Sequence, residues 1–183
     1  MKPMAFAILS STLEPVSTKS PMYPDSIGQS IVPTHTFANA PDLDVLLVPG
    51  GQGSRGSPPE ILELIAFIRD SYPKLKYLIT VCTGAGLAAR AGVLDGKRAT
   101  TNKKSWKDII ALRSEVNWIA RARWVIDGNI WTSSGVSAGI DVTLAWIGEV
   151  FGEEIAQSIA DSNEYTRHTL AHVDPFADLY GLE

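Results

Sequence analysis

"YLITVCTGAGLAARAG", residues 77 to 92, runs from a short apolar strand pattern into a short helix pattern with no loop between them. Residues 77–81 read as a strand buried on both faces. Residues 83–92 read as a short helix ended by Gly92. Cys82 stands on the turn. An abrupt strand-to-helix turn of this kind has the form of a nucleophile elbow, with cysteine in the place of serine. The geometry exposes the sulfur and places it near a helix N-terminus. The partial positive charge there favours thiolate and lowers the thiol pKa. The backbone N–H of Thr83 is then a candidate oxyanion donor. The competing reading is an inert buried cysteine, a common state for this residue.

Upstream, "DVLLVPGGQGSRG" (44–56) is another short apolar run, ended by Pro49, Gly50 and Gly51. Gly51, Gly53 and Gly56 fit the dinucleotide spacing G-x-G-x-x-G, but two requirements fail. The best helix start comes after the glycines, with Ser57 as N-cap, Pro58 in the first helical position and Glu60 closing a capping box. The next strand ends in Val81, Cys82 and Thr83, where a ribose-binding acid would be needed. The turn instead lies at the C-terminal edge of a buried strand, where open α/β sheets bind ligands. Gly50 and Gly51 are therefore candidate substrate-binding residues, and Gly51 is the second candidate oxyanion donor. A plain tight turn is the competing reading.

Around these two units the chain alternates strand and helix signals. "MAFAILS" (4–10) reads as a buried strand. Residues 11–42, with five prolines, read as loops and short edge strands. A helix runs from the Ser57 cap to about Tyr72, where Pro73 stops it. "RATT" is a candidate strand and "KSWKDIIALRS" a helix. "RWVIDGNIWTSS" is a hairpin turning at Asp127-Gly128 or Gly128-Asn129. "AGIDVTLAWIGEVF" is a helix apolar nearly all round, hence buried, and "GEEIAQSIADSNEY" is a more amphipathic one. With no internal repeat and no linker, residues 1–183 read as one α/β domain, a sandwich around a mainly parallel sheet.

The net charge of −4 gives no field to attract nucleic acid or an anionic membrane. The one basic cluster, Lys103, Lys104, Lys107 and Arg113, reads as a solvated helix face. A single cysteine rules out an intrachain disulfide and suits a reducing, cytoplasmic compartment. The start "MKPMAFAILSS" only weakly mimics a secretion signal, and no run approaches bilayer length. Three histidines and one cysteine have no metal-ligand spacing.

Four stretches carry a resemblance: "DVLLVPGGQG", "YLITVCTGAGLAARAGVLDGKRATTN", "VIDGNIWTSSGVSAGIDVTLAWI" and "NEYTRHTLAHVDPF". They resemble the superfamily named for PfpI and ThiJ, with its class I glutamine-amidotransferase-like, flavodoxin-like fold. The C-T-G elbow, "AGVLDGKRATT" and "SAGID" look most like its isonitrile hydratase branch. The resemblance implies that Cys82 is the nucleophile and that Gly51 and the Thr83 amide form the oxyanion hole. In that branch the hydroxyl matching Thr83 also matters. It implies hydration of an isonitrile to an N-substituted formamide without a cofactor, and a homodimer.

Two departures stand against that pattern. The chain starts at what looks like the family's second strand, so the first strand and its acid-bearing helix have no match. Asn102 stands where many members have a histidine, which removes the base of a Cys-His protease or amidotransferase. Asn102 can still donate to a ligand, or it can be a turn residue. His168 and His172 read as surface or dimer-contact residues. Trp106 reads as pocket lining, core or interface, and Trp118, Trp124, Trp131 and Trp146 as core. Three functions compete: a hydratase using Cys82, a degenerate redox-sensing or binding relative, and, ranked lower, a glyoxalase or deglycase.

Overall fold

A computed structural model describes residues 4–20, 23 and 25–182. Met1–Pro3, the basic start of the leader-like stretch, and Pro21 and Pro24 of the proline-rich segment lie outside the described residues. The N-terminal part holds four two-residue strands: β1 (Leu9–Ser10), β2 (Val16–Ser17), β3 (Ser30–Ile31) and β4 (His35–Thr36). Then come β5 (Val45–Val48), α1 (Pro59–Ser71), β6 (Tyr77–Thr80), α2 (Gly84–Arg90), β7 (Arg98–Ala99) and α3 (Trp106–Ile110). The last part contains β8 (Asn117–Trp118), β9 (Trp124–Asp127), β10 (Ile130–Ser133), α4 (Val136–Phe151), α5 (Glu153–Ser162) and α6 (Pro175–Leu179).

The central sheet has the order β5-β6-β10-β9. β5, β6 and β10 are parallel, and β9 joins antiparallel through the hairpin. That hairpin turns at Gly128-Asn129, with Asp127 opposite Ile130 and Gly128 at φ 61°. Two-residue turns need positive φ, which glycine supplies without a Cβ clash. Alternate residues of each strand point to opposite faces. Leu46, Val48, Leu78 and Ile130 meet Ile65 and Ile68 of α1 and Leu87 of α2. Val45, Tyr77, Ile79 and Trp131 meet Val142 and Trp146 of α4. Two apolar layers around one sheet make the three-layer α/β sandwich expected from the alternation of elements.

Several local expectations are corrected. Residues 4–10 are not a buried strand: Met4 and Phe6 are exposed, and only Leu9–Ser10 pairs, with β4. A parallel strand is buried by neighbours on its edges and helices on its faces, and this segment has one two-residue partner. Ser57 does not cap α1. Pro58 is the N-cap, at φ −63° and ψ 158°, and Pro59 opens the helix. A residue before proline is pushed out of the helical region, so Pro58 cannot be helical. The Ser57 hydroxyl accepts from Arg90 Nη2 instead, at 3.0 Å. In α4, Ala138, Val142 and Trp146 are buried, but Val136 is 76% exposed and Ile140 45%. Its uniform apolarity therefore does not mean uniform burial.

The basic cluster is also split. Lys103 is not solvated: its Nζ donates to Thr100 Oγ1 (2.6 Å) and Ala122 O (2.9 Å) and lies 3.5 Å from Asp174 Oδ2. Burial lowers its pKa to about 8, opposed by the Asp174 charge. Asp174 caps α6 through Phe176 N at 3.0 Å, so the pair ties α6 to the body of the domain. A second buried pair, Arg123 Nε to Asp141 Oδ2 at 2.7 Å, works alongside it. The other Asp141 oxygen accepts from Tyr165 Oη and His168 N, both at 3.0 Å. Burial, then the bond to Asp141, raises the Tyr165 pKa. Trp124, Trp131 and Trp146 are core, and Trp106 is buried edge-on against Trp118. Among the described residues, no helix is long and apolar enough to cross a membrane.

Candidate active site

The elbow is present and its backbone is strained. Cys82 has φ 58°, one of two positive-φ non-glycine residues described. Left-handed backbone is costly for a residue with a Cβ and persists only where the surroundings hold it. They do so from three sides. Cys82 N donates to Ser133 O of β10 at 3.2 Å. Thr101 Oγ1 donates to Cys82 O at 2.9 Å. Gly84 N closes the turn onto Val81 O at 3.0 Å. The thiol is free and half-buried.

The β5 turn is pressed against this elbow, and glycine is what permits it. A Cβ on Gly50 would lie 2.5 Å from both Thr83 N and Thr83 Oγ1. A Cβ on Gly84 would lie 2.3 Å from Val48 O. Gly50 is thus a close-approach residue, and its place in the fold needs no ligand to explain it. Gly51 has φ 137° and ψ 178°, a region open essentially only to glycine.

Polar atoms at the junction form a closed set. Gly51 N donates to Thr83 Oγ1 at 2.8 Å. Ser54 Oγ donates to Gly51 O at 2.6 Å and lies 3.0 Å from Thr83 Oγ1. The Gly51 amide therefore points at the Thr83 hydroxyl. Among the described residues, the Thr83 amide has no hydrogen-bond acceptor. No described carboxylate is hydrogen-bonded to Ser54, Thr83 or Thr101.

Asn102 uses its side-chain oxygen to accept from Ser105 N at 3.1 Å, a turn bond at the start of α3. Its Nδ2 faces Gly135, before α4. Arg55 reaches from the glycine turn to Ser105 Oγ at 3.1 Å, so the two loops meet. His168 and His172 are exposed on the C-terminal segment. An apolar groove of about 420 Å³ lies between α4 and α5, lined by Val81, Val136, Ile140, Ile147 and Ile159 among others. Val81 precedes Cys82 in the chain, but none of Cys82, Thr83, Gly50 and Gly51 lines this groove. Ser54 and Thr101 were not legible as site residues, because lone hydroxyls in loops carry no sequence signature. Among the described residues, no His, Cys, Asp or Glu cluster could hold a metal ion.

Against known proteins, residues 5–149 match the DJ-1/PfpI family. Isonitrile hydratase of Pseudomonas putida is 38% identical over 140 residues, covering 76% of this chain and 60% of that protein. An HTH-type transcriptional regulator of Pseudomonas aeruginosa is 33% identical over 144 residues, covering 78% of this chain and 38% of the regulator. The crystal structure of a ThiJ/PfpI family protein from Pseudomonas syringae matches with a TM-score of 0.70 and 30% identity, over 88% of this chain and 63% of that one. The chain thus spans less than two thirds of each of these relatives.

Proposed function

The chain belongs to the DJ-1/PfpI family, and on that premise we propose that it hydrates isonitriles to N-substituted formamides, with Cys82 as nucleophile and no cofactor. The observation that carries this reading is the strained backbone of Cys82 at φ 58° on a half-buried strand-to-helix turn. Strain of this kind is kept where a side chain must be presented. The similarity to isonitrile hydratase supports the substrate class.

The chemistry follows from the electron demand of the substrate. The thiolate of Cys82 adds to the terminal isonitrile carbon, and a proton completes a thioimidate. Water then adds to that carbon, the C–S bond breaks, and the formamide leaves. The free Thr83 amide is the donor for charge that develops on the adduct. Gly51 contributes a second donor once the Thr83 hydroxyl turns away from its N–H. Asn102, whose Nδ2 faces Gly135, is in this reading a further donor to the substrate. The working form in this reading is a cytoplasmic homodimer acting on a small molecule, which light scattering of the purified chain checks.

A second reading is a binding or thiol-sensing member. Similarity to a regulator favours it. One experiment separates the readings: isonitrile loss and formamide appearance for the chain and for Cys82→Ser. Turnover lost with the cysteine supports hydration. A folded protein with no turnover, but a sulfenic adduct at Cys82 under mild peroxide, supports the sensor. Lactate made from methylglyoxal would move the reading to glyoxalase chemistry.

A further inference from the structure

A cavity of about 450 Å³ lies where β9, the end of α4, the start of α5 and residues 167–169 meet. Trp124 and Ala145 give it an apolar wall, and Glu149, Glu153 and Arg167 bring charge. None of Gly50, Gly51, Cys82 and Thr83 lines it. We infer that this cavity is a second binding site, which takes a small α-amino acid with an apolar side chain, its carboxylate held by Arg167 and its ammonium group by Glu149. The site is independent of the Cys82 chemistry.

Arg167 sets the acidic end of the ligand. Its side chain is 7% exposed, and a buried guanidinium is costly unless its donors are paired. Nη1 donates to Glu153 Oε1 at 2.5 Å and lies 3.5 Å from Gln157 Oε1. The other edge, formed by Nε and Nη2, has no acceptor among the described residues, and Nε is buried. That edge is the fork that grips a carboxylate through two parallel bonds. Arg113 uses its own in this way on Asp95, with Nε to Oδ1 at 2.9 Å and Nη2 to Oδ2 at 2.5 Å. In Arg167 the fork is unmatched. Nη2 meets the ligand carboxylate first, and Nε follows as the guanidinium turns on its Glu153 bond.

The segment that carries Arg167 is fixed on both sides of it. Asp141 Oδ1 accepts from Tyr165 Oη and His168 N, both at 3.0 Å. Arg123 N donates to Ala171 O at 2.6 Å. A side chain already packed on an anchored segment loses little freedom when a ligand arrives.

The charge balance of the lining selects a zwitterion. Glu149 and Glu153 stand against the single guanidinium of Arg167. Glu153 is engaged by Arg167, and Gly148 leaves room for it, since a Cβ there would lie 2.4 Å from Glu153 Oε2. Glu149 is exposed and has no hydrogen bond or ion pair among the described residues. A ligand with only a carboxylate meets Glu149 as a like charge. A ligand with only an ammonium group leaves the Arg167 fork unmatched. One free carboxylate and one free fork in the same cavity match an ammonium group and a carboxylate on one small molecule. The volume falls in the usual range of small-molecule sites, and Trp124 and Ala145 suit an apolar side chain.

The test is calorimetric titration of the whole chain with L-alanine, L-leucine and L-phenylalanine. The tightest of the three is then compared with its methyl ester, which lacks the carboxylate, and with its deaminated acid, which lacks the ammonium group. At least one amino acid binds with a Kd below about 1 mM, and each analogue binds about 10–100-fold more weakly, as loss of a hydrogen bond to a charged group implies. Arg167→Lys keeps the charge but loses the fork, and weakens binding by a similar factor. Glu149→Gln, a change on an exposed side chain, weakens binding while the melting temperature of the free chain stays the same. Cys82→Ser leaves binding unchanged. Failure of all three amino acids to bind overturns the inference. Binding that survives both Arg167→Lys and Glu149→Gln within about twofold puts the ligand elsewhere and overturns it too. A deaminated acid that binds as tightly as its amino acid overturns the choice of a zwitterion.

Discussion

Replacing Gly84 by alanine tests whether the two turns of the site are held in steric register. The new Cβ would lie 2.3 Å from Val48 O and 3.0 Å from the carbonyl carbon and oxygen of Pro49. All three are backbone atoms, so no side chain can swing aside. An ordinary carbon–oxygen contact needs roughly 1 Å more than the Val48 approach allows, given optimal non-bonded separations of about 3.5 Å. That movement has to come from opening β5 away from β6 near the elbow. Val48 O also accepts from Val81 N at 3.0 Å, so the same movement breaks a sheet hydrogen bond. Overpacking costs about 1–3 kcal/mol and a lost internal hydrogen bond about 0.5–1.5 kcal/mol. Together they place Gly84→Ala about 1.5–4.5 kcal/mol below the unaltered chain, a large part of the usual stability of a domain. Gly51→Ala is the comparison. Its Cβ meets nothing within 4 Å, and only φ 137° opposes it. Backbone strain alone costs about 1–3 kcal/mol, and the exposed turn can relax. Urea unfolding followed by tryptophan fluorescence reads both. A Gly84→Ala midpoint indistinguishable from the unaltered chain, or above that of Gly51→Ala, would refute the close-approach argument.

Other consequences follow from the buried charges. Lys103 holds its proton less tightly folded, at a pKa of about 8, than unfolded, at the ordinary lysine value of 10.5. Between those values the unfolded chain binds more protons, so this group's contribution to stability rises with pH from about 8 to 10.5 and is smallest below that window, a change of about 3 kcal/mol. Stability against pH, compared with Lys103→Met, isolates this slope, and equal slopes would contradict it. Asp141→Asn leaves Arg123 buried without its counter-charge and costs about 3–5 kcal/mol. The same change loosens the Tyr165 and His168 anchors, so amides of residues 165–174 exchange faster with deuterium, while those of β6 exchange at their former rate relative to global unfolding.

Much of the fold was legible because its signals are local. Residues 44–48 and 77–81 declare strands through runs of Val, Leu and Ile, although β5 is an edge strand of the central sheet and its Leu47 is 47% exposed rather than buried, and Asp127-Gly128-Asn129 declares a hairpin through turn chemistry. The Cys82 elbow was legible because strand pattern and helix pattern abut there, and such a junction has few backbone solutions. Residues 4–10 misled because apolar composition does not say whether neighbours exist to bury it. Ser57 misled because the Pro58-Pro59 pair moves the helix start by one residue, and the steric rule for prolines outweighs the capping preference. The split exposure of α4 was hidden because every face of that helix is apolar.

The sequence by itself determined the sandwich class, the elbow and the need for glycine at the neighbouring turn, since each depends on residues adjacent in the chain. Only the tertiary structure decided that Gly50 serves close approach to Thr83, that Ser54 meets a hydroxyl 29 residues away, and that Lys103 is buried against Asp174. Hydrogen bonds and ion pairs of this kind depend on distances between segments brought together by packing. Composition sets which groups are present. The placement of β5 beside β6, and of the C-terminal segment beneath α4, sets which of them can touch.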